Sequence, residues 1–251
     1  MKALCAVALA FSLPALPALP ALPALPALLA LPHRQGQAGS QAKPAQPKQK
    51  PPRLFQPQDL GLLEAPDREQ WQKPDQIMDA LGVAEGAVVA ELGAAGGWFT
   101  LRLARRVGPN GLVYAEDIQP AMLDAISRRM QNENQSNVKT VLGTPSDPRL
   151  QAGIDAVLIS DAFHEMDDEA DRSVIVTLLR NVGRSLKPQG RLGIVDWTPG
   201  GGGPGPAAEQ RVAPDVIIRA ARAAGLQLIS REDFPPFVYL LVFGRASVRS
   251  Q

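Results

Sequence analysis

The stretch AVVAELGAAGGWFTLRLARRVG, residues 87–108, decides how the rest of the chain is read. Four small apolar residues, Ala87, Val88, Val89 and Ala90, run into an acid, Glu91, and then into Gly93, Gly96 and Gly97. Phe99, Leu101, Leu103 and Ala104 follow, interleaved with Arg102, Arg105 and Arg106. The pattern predicts a buried strand, a glycine-rich turn and an amphipathic helix with a basic outer face. Such a turn lays backbone against a small ligand and aims a helix N-terminus at an anionic group.

Working outward, strands and helices alternate. A second strand is expected at 112–117 (LVYAED), with a helix at 119–131, a third strand at 138–142 and a fourth at 154–160 (IDAVLIS). A longer helix, 168–186, is expected to open on an acidic first turn that suits its dipole. Lys187, Pro188, Gln189 and Gly190 then stop it before a fifth strand at 191–196. A glycine-proline loop at 199–206 leads to a helix at 213–224, and strands at 226–231 and 237–243 form a hairpin around Pro235 and Pro236. Upstream, DREQWQKPDQIMDAL, residues 67–81, reads as short helices broken at Pro74. Their Trp71, Ile77, Met78 and Leu81 form a packing face or, alternatively, a lid over the ligand. Alternating strands and helices imply right-handed crossovers and a sheet covered on both faces. The expected fold class is therefore α/β: a doubly wound, Rossmann-like, mostly parallel seven-stranded sheet with a C-terminal antiparallel hairpin strand.

The whole chain has 251 residues, 45% of them hydrophobic, and a formal net charge of +1, which accommodates one sizeable α/β domain. No domain-wide excess of Lys and Arg points to nucleic acid as a partner. The single cysteine, Cys5, lies in the leader, so zinc-cysteine sites and thiol catalysis are excluded from the folded part. Residues 1–32 begin with Lys2 and an apolar run, then become a Pro-Ala-Leu repeat with prolines at 14, 17, 20, 23 and 26. The start resembles a secretory signal, and the repeat suits polyproline II better than a membrane helix. The expected address is periplasmic or secreted; a membrane tether, or a cytoplasmic protein with a non-functional leader, is the alternative. Residues 33–53 are polar and proline-rich and read as a disordered linker. The folded domain is expected over 54–251.

The glycine spacing selects the ligand. A dinucleotide fingerprint needs glycines at the first, third and sixth positions, but counting from Gly93 those are Gly93, Ala95 and Trp98. No Gly-Lys-Ser/Thr follows, so a P-loop is absent. What remains is an acid ending the first strand, Glu91, and another ending the second, Asp117. Glu91 suits an ammonium, and Asp117 suits a pair of ribose hydroxyls as a bidentate acceptor. S-adenosylmethionine, with an amino acid end, a ribose and an adenine, fits this arrangement better than a pyrophosphate.

The span 54–243 resembles a class I S-adenosylmethionine-dependent methyltransferase. VVAELGAAGGWF resembles the family's E/D-x-G-x-G-x-G motif, with Glu91, Gly93 and Gly97 as its acid, first and third glycines. VYAEDIQPAML resembles the second motif, which puts Asp117 at the ribose and Ile118 over the adenine. VLGTPSDP occupies the third, where the resemblance makes Asp147 the nearest acid for the adenine amino group. SDAFHEM and SLKPQGRLGIVDW resemble the stretches around the fourth and fifth strands. The chain departs from the pattern at Ala95, where the middle glycine is expected.

In parallel sheets the ligand lies at the carboxyl ends of the strands. Asp161 and His164 are the candidate catalytic residues there. His164, the only histidine of the folded part, is a candidate base for a hydroxyl or an acidic carbon. The plainer alternatives are a helix-capping histidine and an ordinary turn acid. His164 with Glu165 lacks a second histidine at helical spacing, so no metal site is expected. Asp196 and Trp197 end the fifth strand at the same rim. The resemblance implies methyl transfer from S-adenosylmethionine to an unidentified small molecule. A catalytically inactive S-adenosylmethionine-binding sensor or scaffold is the alternative, and Ala95 favours it. A nicotinamide oxidoreductase is a distant third. Membrane proximity would come only through the leader, and nothing in the sequence specifies an oligomeric state.

Overall fold

The computed structural model describes residues 54–246. The leader at 1–32 and the linker up to residue 53 lie outside the described residues. Among those described, no helix is long and apolar enough to cross a membrane.

Seven strands form one sheet: β1 (Val88–Leu92), β2 (Leu112–Asp117), β3 (Val138–Leu142), β4 (Ile154–Ser160), β5 (Leu186–Trp197), β6 (Leu226–Phe234) and β7 (Val238–Arg245). Their order is β3-β2-β1-β4-β5-β7-β6. β1 pairs in parallel with both β2 and β4, so the strand order reverses beside β1. β7 runs antiparallel to both of its neighbours, which makes it the antiparallel hairpin strand foreseen from the sequence. β4 is a nearly continuous apolar run because helices cover both faces of the sheet.

The helices are α1 (Arg68–Gln72), α2 (Pro74–Ala80), α3 (Trp98–Val107), α4 (Pro120–Asn132), α5 (Phe163–Met166), α6 (Ser173–Ser185) and α7 (Pro214–Ala223). On one face, Ile77 and Met78 of α2 and Phe99 and Leu103 of α3 pack on Val89, Val113 and Leu158. On the other, Ile175 and Leu179 of α6 and Ile217 and Ala221 of α7 pack on Ala90, Ile159 and Leu241. Trp71, Ile77, Met78 and Leu81 are all buried, so the packing reading of the 67–81 segment holds.

Two element starts differ from expectation by five residues. The helix expected from residue 168 begins only at Ser173. Asp168 accepts a hydrogen bond from the Ala170 N–H at 2.9 Å, and Asp171 accepts one from the Ser173 N–H at 3.0 Å. These local turns compete with the helix, so the acids precede it instead of opening it. The fifth strand starts at Leu186, five residues early. Leu186 pairs with Ile154 and regular pairing resumes at Arg191 with Ala156, so residues 187–190 form an irregularity inside the strand.

Candidate functional site

At the carboxyl ends of β1, β2 and β4 lies a cavity of about 450 Å³. A second, open depression of about 710 Å³ lies between α2 and α3, away from the strand ends. Its Arg102, Arg105 and Arg106 are already paired with Glu69, Glu133, Asp75 and Asp79. The first cavity is therefore the candidate site.

The glycine turn forms one wall. Gly93 and Gly97 have φ values of 68° and 77°, in the left-handed region that glycine enters without a side-chain clash. A Cβ on Gly93 would lie 2.8 Å from the Ala162 Cβ, so the turn also needs glycine there for close approach. Gly97 caps α3 and faces Ile126 and Met130 of α4; Gly96, not Gly97, lines the cavity. Ala95, in the middle, is also left-handed at φ 47°. For a residue with a Cβ this conformation costs about 1–2 kcal/mol. Ala95→Gly is therefore expected to raise unfolding stability by about 0.5–1 kcal/mol, visible as a higher Tm in a thermal melt.

Asp117 ties this turn to β2. The Ala95 N–H donates to its Oδ2 at 3.0 Å and the Gln119 N–H to its Oδ1 at 2.9 Å. Burial raises its pKa, and these amides partly oppose the rise. Ile118, the next residue, also lines the cavity. Glu91 is buried at the end of β1, where the Thr100 hydroxyl donates to its Oε2. Burial pushes the Glu91 carboxyl up to about 8, against the opposing effects of Thr100 and the nearby Arg68 guanidinium.

Across the cavity, Asp161 sits at φ 55°, a conformation that Asp tolerates better than most residues. Arg68 donates from Nη2 to its Oδ2 at 2.7 Å, and the Gln72 amide donates to the same oxygen at 3.1 Å. Arg68 also donates from Nη1 to the Leu63 carbonyl at 2.5 Å and from Nε to Gln72 Oε1. Its guanidinium carbon lies 4.2 Å from the centroid of the Trp98 ring. Asp161 Oδ1 is buried and has no hydrogen-bond donor among the described residues. Burial raises the Asp161 pKa, while Arg68 opposes the rise.

His164, on α5, is not brought to the cavity lining. Its Nδ1 lies 3.1 Å from Oδ1 of the fully buried Asp196, whose Oδ2 accepts the His164 backbone N–H at 3.0 Å. Burial alone would favour the neutral ring, but the Asp196 carboxylate outweighs it and raises the His164 pKa. The carboxylate on Nδ1 leaves Nε2, 4.0 Å from Glu165 Oε1, as the ring's other nitrogen. What departs from the expected catalytic position is that the ring lies outside the cavity lining. Asp147 departs likewise: it is exposed, lies outside the lining, and takes the Arg149 N–H on its Oδ1 at 2.8 Å. The structure thus brings Glu91, Gly93, Asp117, Ile118 and Asp161 together around one cavity and leaves Gly97, Asp147 and His164 outside its lining.

A cover over the cavity was not foreseen. Residues 54–64, including a 3-10 helix (Pro57–Leu63), supply several lining residues. Glu165 accepts the Phe55 N–H at 3.0 Å, and the Gln119 side chain donates to the Phe55 carbonyl at 3.0 Å. Arg129 pairs bidentately with Glu64 and also donates to the Gly96 carbonyl at 3.1 Å. Arg68 and Gln72 were missed as well. Their i, i+4 spacing on a short helix was the available signal, and it is indistinguishable from that of an exposed polar pair.

Residues 89–190 match the family described as "Methyltransferase domain". Among curated proteins, the chain is 29% identical over 128 residues to a demethylmenaquinone methyltransferase from Lactobacillus johnsonii, covering 50% of this chain and 49% of that protein. It is 32% identical over 123 residues to a ubiquinone/menaquinone biosynthesis C-methyltransferase from Pasteurella multocida, covering 48% of this chain and 44% of that one. The alignments thus span about half the length of these relatives. Among solved structures, a SAM-dependent methyltransferase from Aquifex aeolicus superposes with a TM-score of 0.69 at 22% identity, covering 75% of this chain and 98% of that one. That likeness establishes the fold.

Proposed function

We propose, from the match of residues 89–190 to the methyltransferase-domain family, that this protein transfers the methyl group of S-adenosylmethionine to a small-molecule acceptor. The observation that carries the reading is Asp117 tied to the left-handed glycine turn at one wall of the cavity. An ionised carboxylate has about four lone-pair positions. The amides of Ala95 and Gln119 take one position on each oxygen, which leaves an acceptor on each oxygen for the two ribose hydroxyls. Glu91 lies at the neighbouring strand end. Burial holds its carboxyl at about 8, so it suits the ammonium of the amino acid only as that cation draws its proton off and favours the ionised form.

Bound S-adenosylmethionine would supply an electrophilic methyl carbon on a sulfonium sulfur. The chain's own residues align the partners, exclude water and accept a proton. Residues 54–64 cover the cavity and exclude solvent from the transfer. Asp161 is the candidate proton acceptor: its Oδ1 is without a donor, and burial strengthens it as a base. With the cofactor bound, the methyl group would pass to the acceptor's nucleophilic atom and the carbon–sulfur bonding pair would stay on sulfur as S-adenosylhomocysteine. Asp161 would take the proton that the nucleophile loses. His164 is a positioning residue in this account, anchoring α5 to β5 through Asp196. The apolar side chains of Leu54, Leu60, Leu63 and Met166 suit an apolar acceptor. The two relatives named for menaquinone methylation favour a quinone-type small molecule.

Ala95 favours a second reading, a binding domain without turnover, because its methyl group crowds the turn. The intact protein is to be incubated with S-adenosylmethionine and either demethylmenaquinol or small-molecule extracts, with S-adenosylhomocysteine followed by mass spectrometry. Formation above the acceptor-free control is the expected result. Binding without turnover in any mixture would favour the second reading, and absence of binding would sink both.

A further inference from the structure

Glu116 has no part in the chemistry above, yet it is a buried acid in the same cavity wall. It precedes Asp117 on β2, so its side chain leaves the opposite face of the sheet. It is 3% exposed and lines the cavity beside Thr144 and Pro145. Its carboxyl occupies the space that a side chain on residue 143 would need: a Cβ on Gly143 would lie 1.8 Å from Glu116 Oε1. A glycine at the end of β3 is therefore what lets the carboxyl reach across toward the next loop.

The other polar groups of that loop are committed elsewhere. Thr144 Oγ1 accepts the Asp147 N–H at 3.0 Å and is 3.3 Å from the Asp147 carbonyl, so it closes its own turn. Asp147 accepts from Arg149 outside the cavity. Beyond Asp117, Glu116 is the carboxyl left at this end of the cavity among the described residues.

We propose that Glu116 is the residue that recognises the adenine of the cofactor, by accepting a hydrogen bond from its exocyclic amino group. The proposal rests on the cofactor reading above. With the ribose at Asp117, the base would lie beyond it, beside Ile118, Thr144 and Pro145 of the cavity lining, where Glu116 is the unassigned acceptor. Burial raises the Glu116 carboxyl to about 8, with the adjacent Asp117 charge adding to the rise and the Gly93 N–H opposing it. At pH 7 the carboxyl is then mostly protonated and carries one acceptor oxygen and one O–H donor. A carboxamide has the same kind of edge and pairs with adenine through two hydrogen bonds.

The test is a binding cycle by calorimetry on the intact protein at pH 7. It compares S-adenosylhomocysteine with its analogue lacking the purine 6-amino group, on the native protein, Glu116→Leu and Glu116→Gln. Deleting the amino group is expected to weaken binding to the native protein by about tenfold, the effect of one hydrogen bond. The same deletion should change binding to Glu116→Leu by less than about twofold, while Glu116→Gln should retain the native discrimination. Equal discrimination in the native protein and Glu116→Leu would overturn the proposal. So would a native protein that binds both ligands alike, which needs no variant to fold. Failure of the native protein to bind S-adenosylhomocysteine at all would instead overturn the cofactor reading on which the proposal stands.

Discussion

Asp117→Ala is expected to weaken S-adenosylhomocysteine binding at least about 100-fold. Two hydrogen bonds from ribose hydroxyls to a carboxylate contribute roughly 1.5–3 kcal/mol each, and 1.4 kcal/mol corresponds to a factor of ten. The substitution also frees the Ala95 and Gln119 amides that hold the glycine turn and the start of α4 against β2. Its effect on stability is smaller, because burial already raises the Asp117 pKa and removing the acid relieves that cost. Asp117→Asn, which keeps one acceptor oxygen, should fall between the two. Calorimetry for binding and a thermal melt for stability separate the effects. An Asp117→Ala protein that melts near the native temperature and still binds normally would remove Asp117 from the site.

Arg68→Ala should produce the largest loss of stability. Arg68 is the one Lys, Arg or His among the described lining residues, where it faces several acids, and its side chain and that of Asp161 are 8% and 9% exposed. Removing the cation leaves the Asp161 carboxylate buried without its partner, an event that costs about 3–5 kcal/mol. For a domain of this size that corresponds to a Tm lower by about 10 °C. The pH dependence identifies the cause. Burial already raises the Asp161 pKa, and loss of Arg68, which opposes that rise, must raise it further. In the variant, stability is lost as pH rises and Asp161 must ionise without a partner, and it recovers toward acid pH, where the carboxyl is protonated in both folded and unfolded chains. The deficit should therefore be larger at pH 8 than at pH 5, and adding Asp161→Asn to Arg68→Ala should reduce it at the higher pH. A deficit independent of pH would point to lost packing against Trp98 instead.

The sheet was legible in the sequence because β1, β2 and β4 are short, largely apolar runs ended by turns. The boundaries of β2, β3 and β4 follow from LVYAED, VKTVL and IDAVLIS alone. The start of α6 was not, because the acids of the 167–172 segment read equally well as a helix N-terminus or as local turns, and turn hydrogen bonds decide between them. The glycine turn and Asp117 could be placed together because they end adjacent parallel strands. Asp147 could not be placed: the loop after β3 has no periodicity, and its acid points outward. Glu116 was hidden by its neighbour, since alternation sends the two acids of Glu116-Asp117 to opposite faces and only the cavity's shape brings both to it. The cover formed by residues 54–64 has no sequence signal, because hydrogen bonds through the backbone of Phe55 hold it in place.

The most direct test of the cofactor site is calorimetric titration of the intact protein with S-adenosylhomocysteine and, separately, with NAD. The account predicts saturable one-to-one binding of S-adenosylhomocysteine that Asp117→Ala weakens at least about 100-fold, and no heat with NAD. Binding of NAD without S-adenosylhomocysteine, or S-adenosylhomocysteine binding indifferent to Asp117, would contradict it.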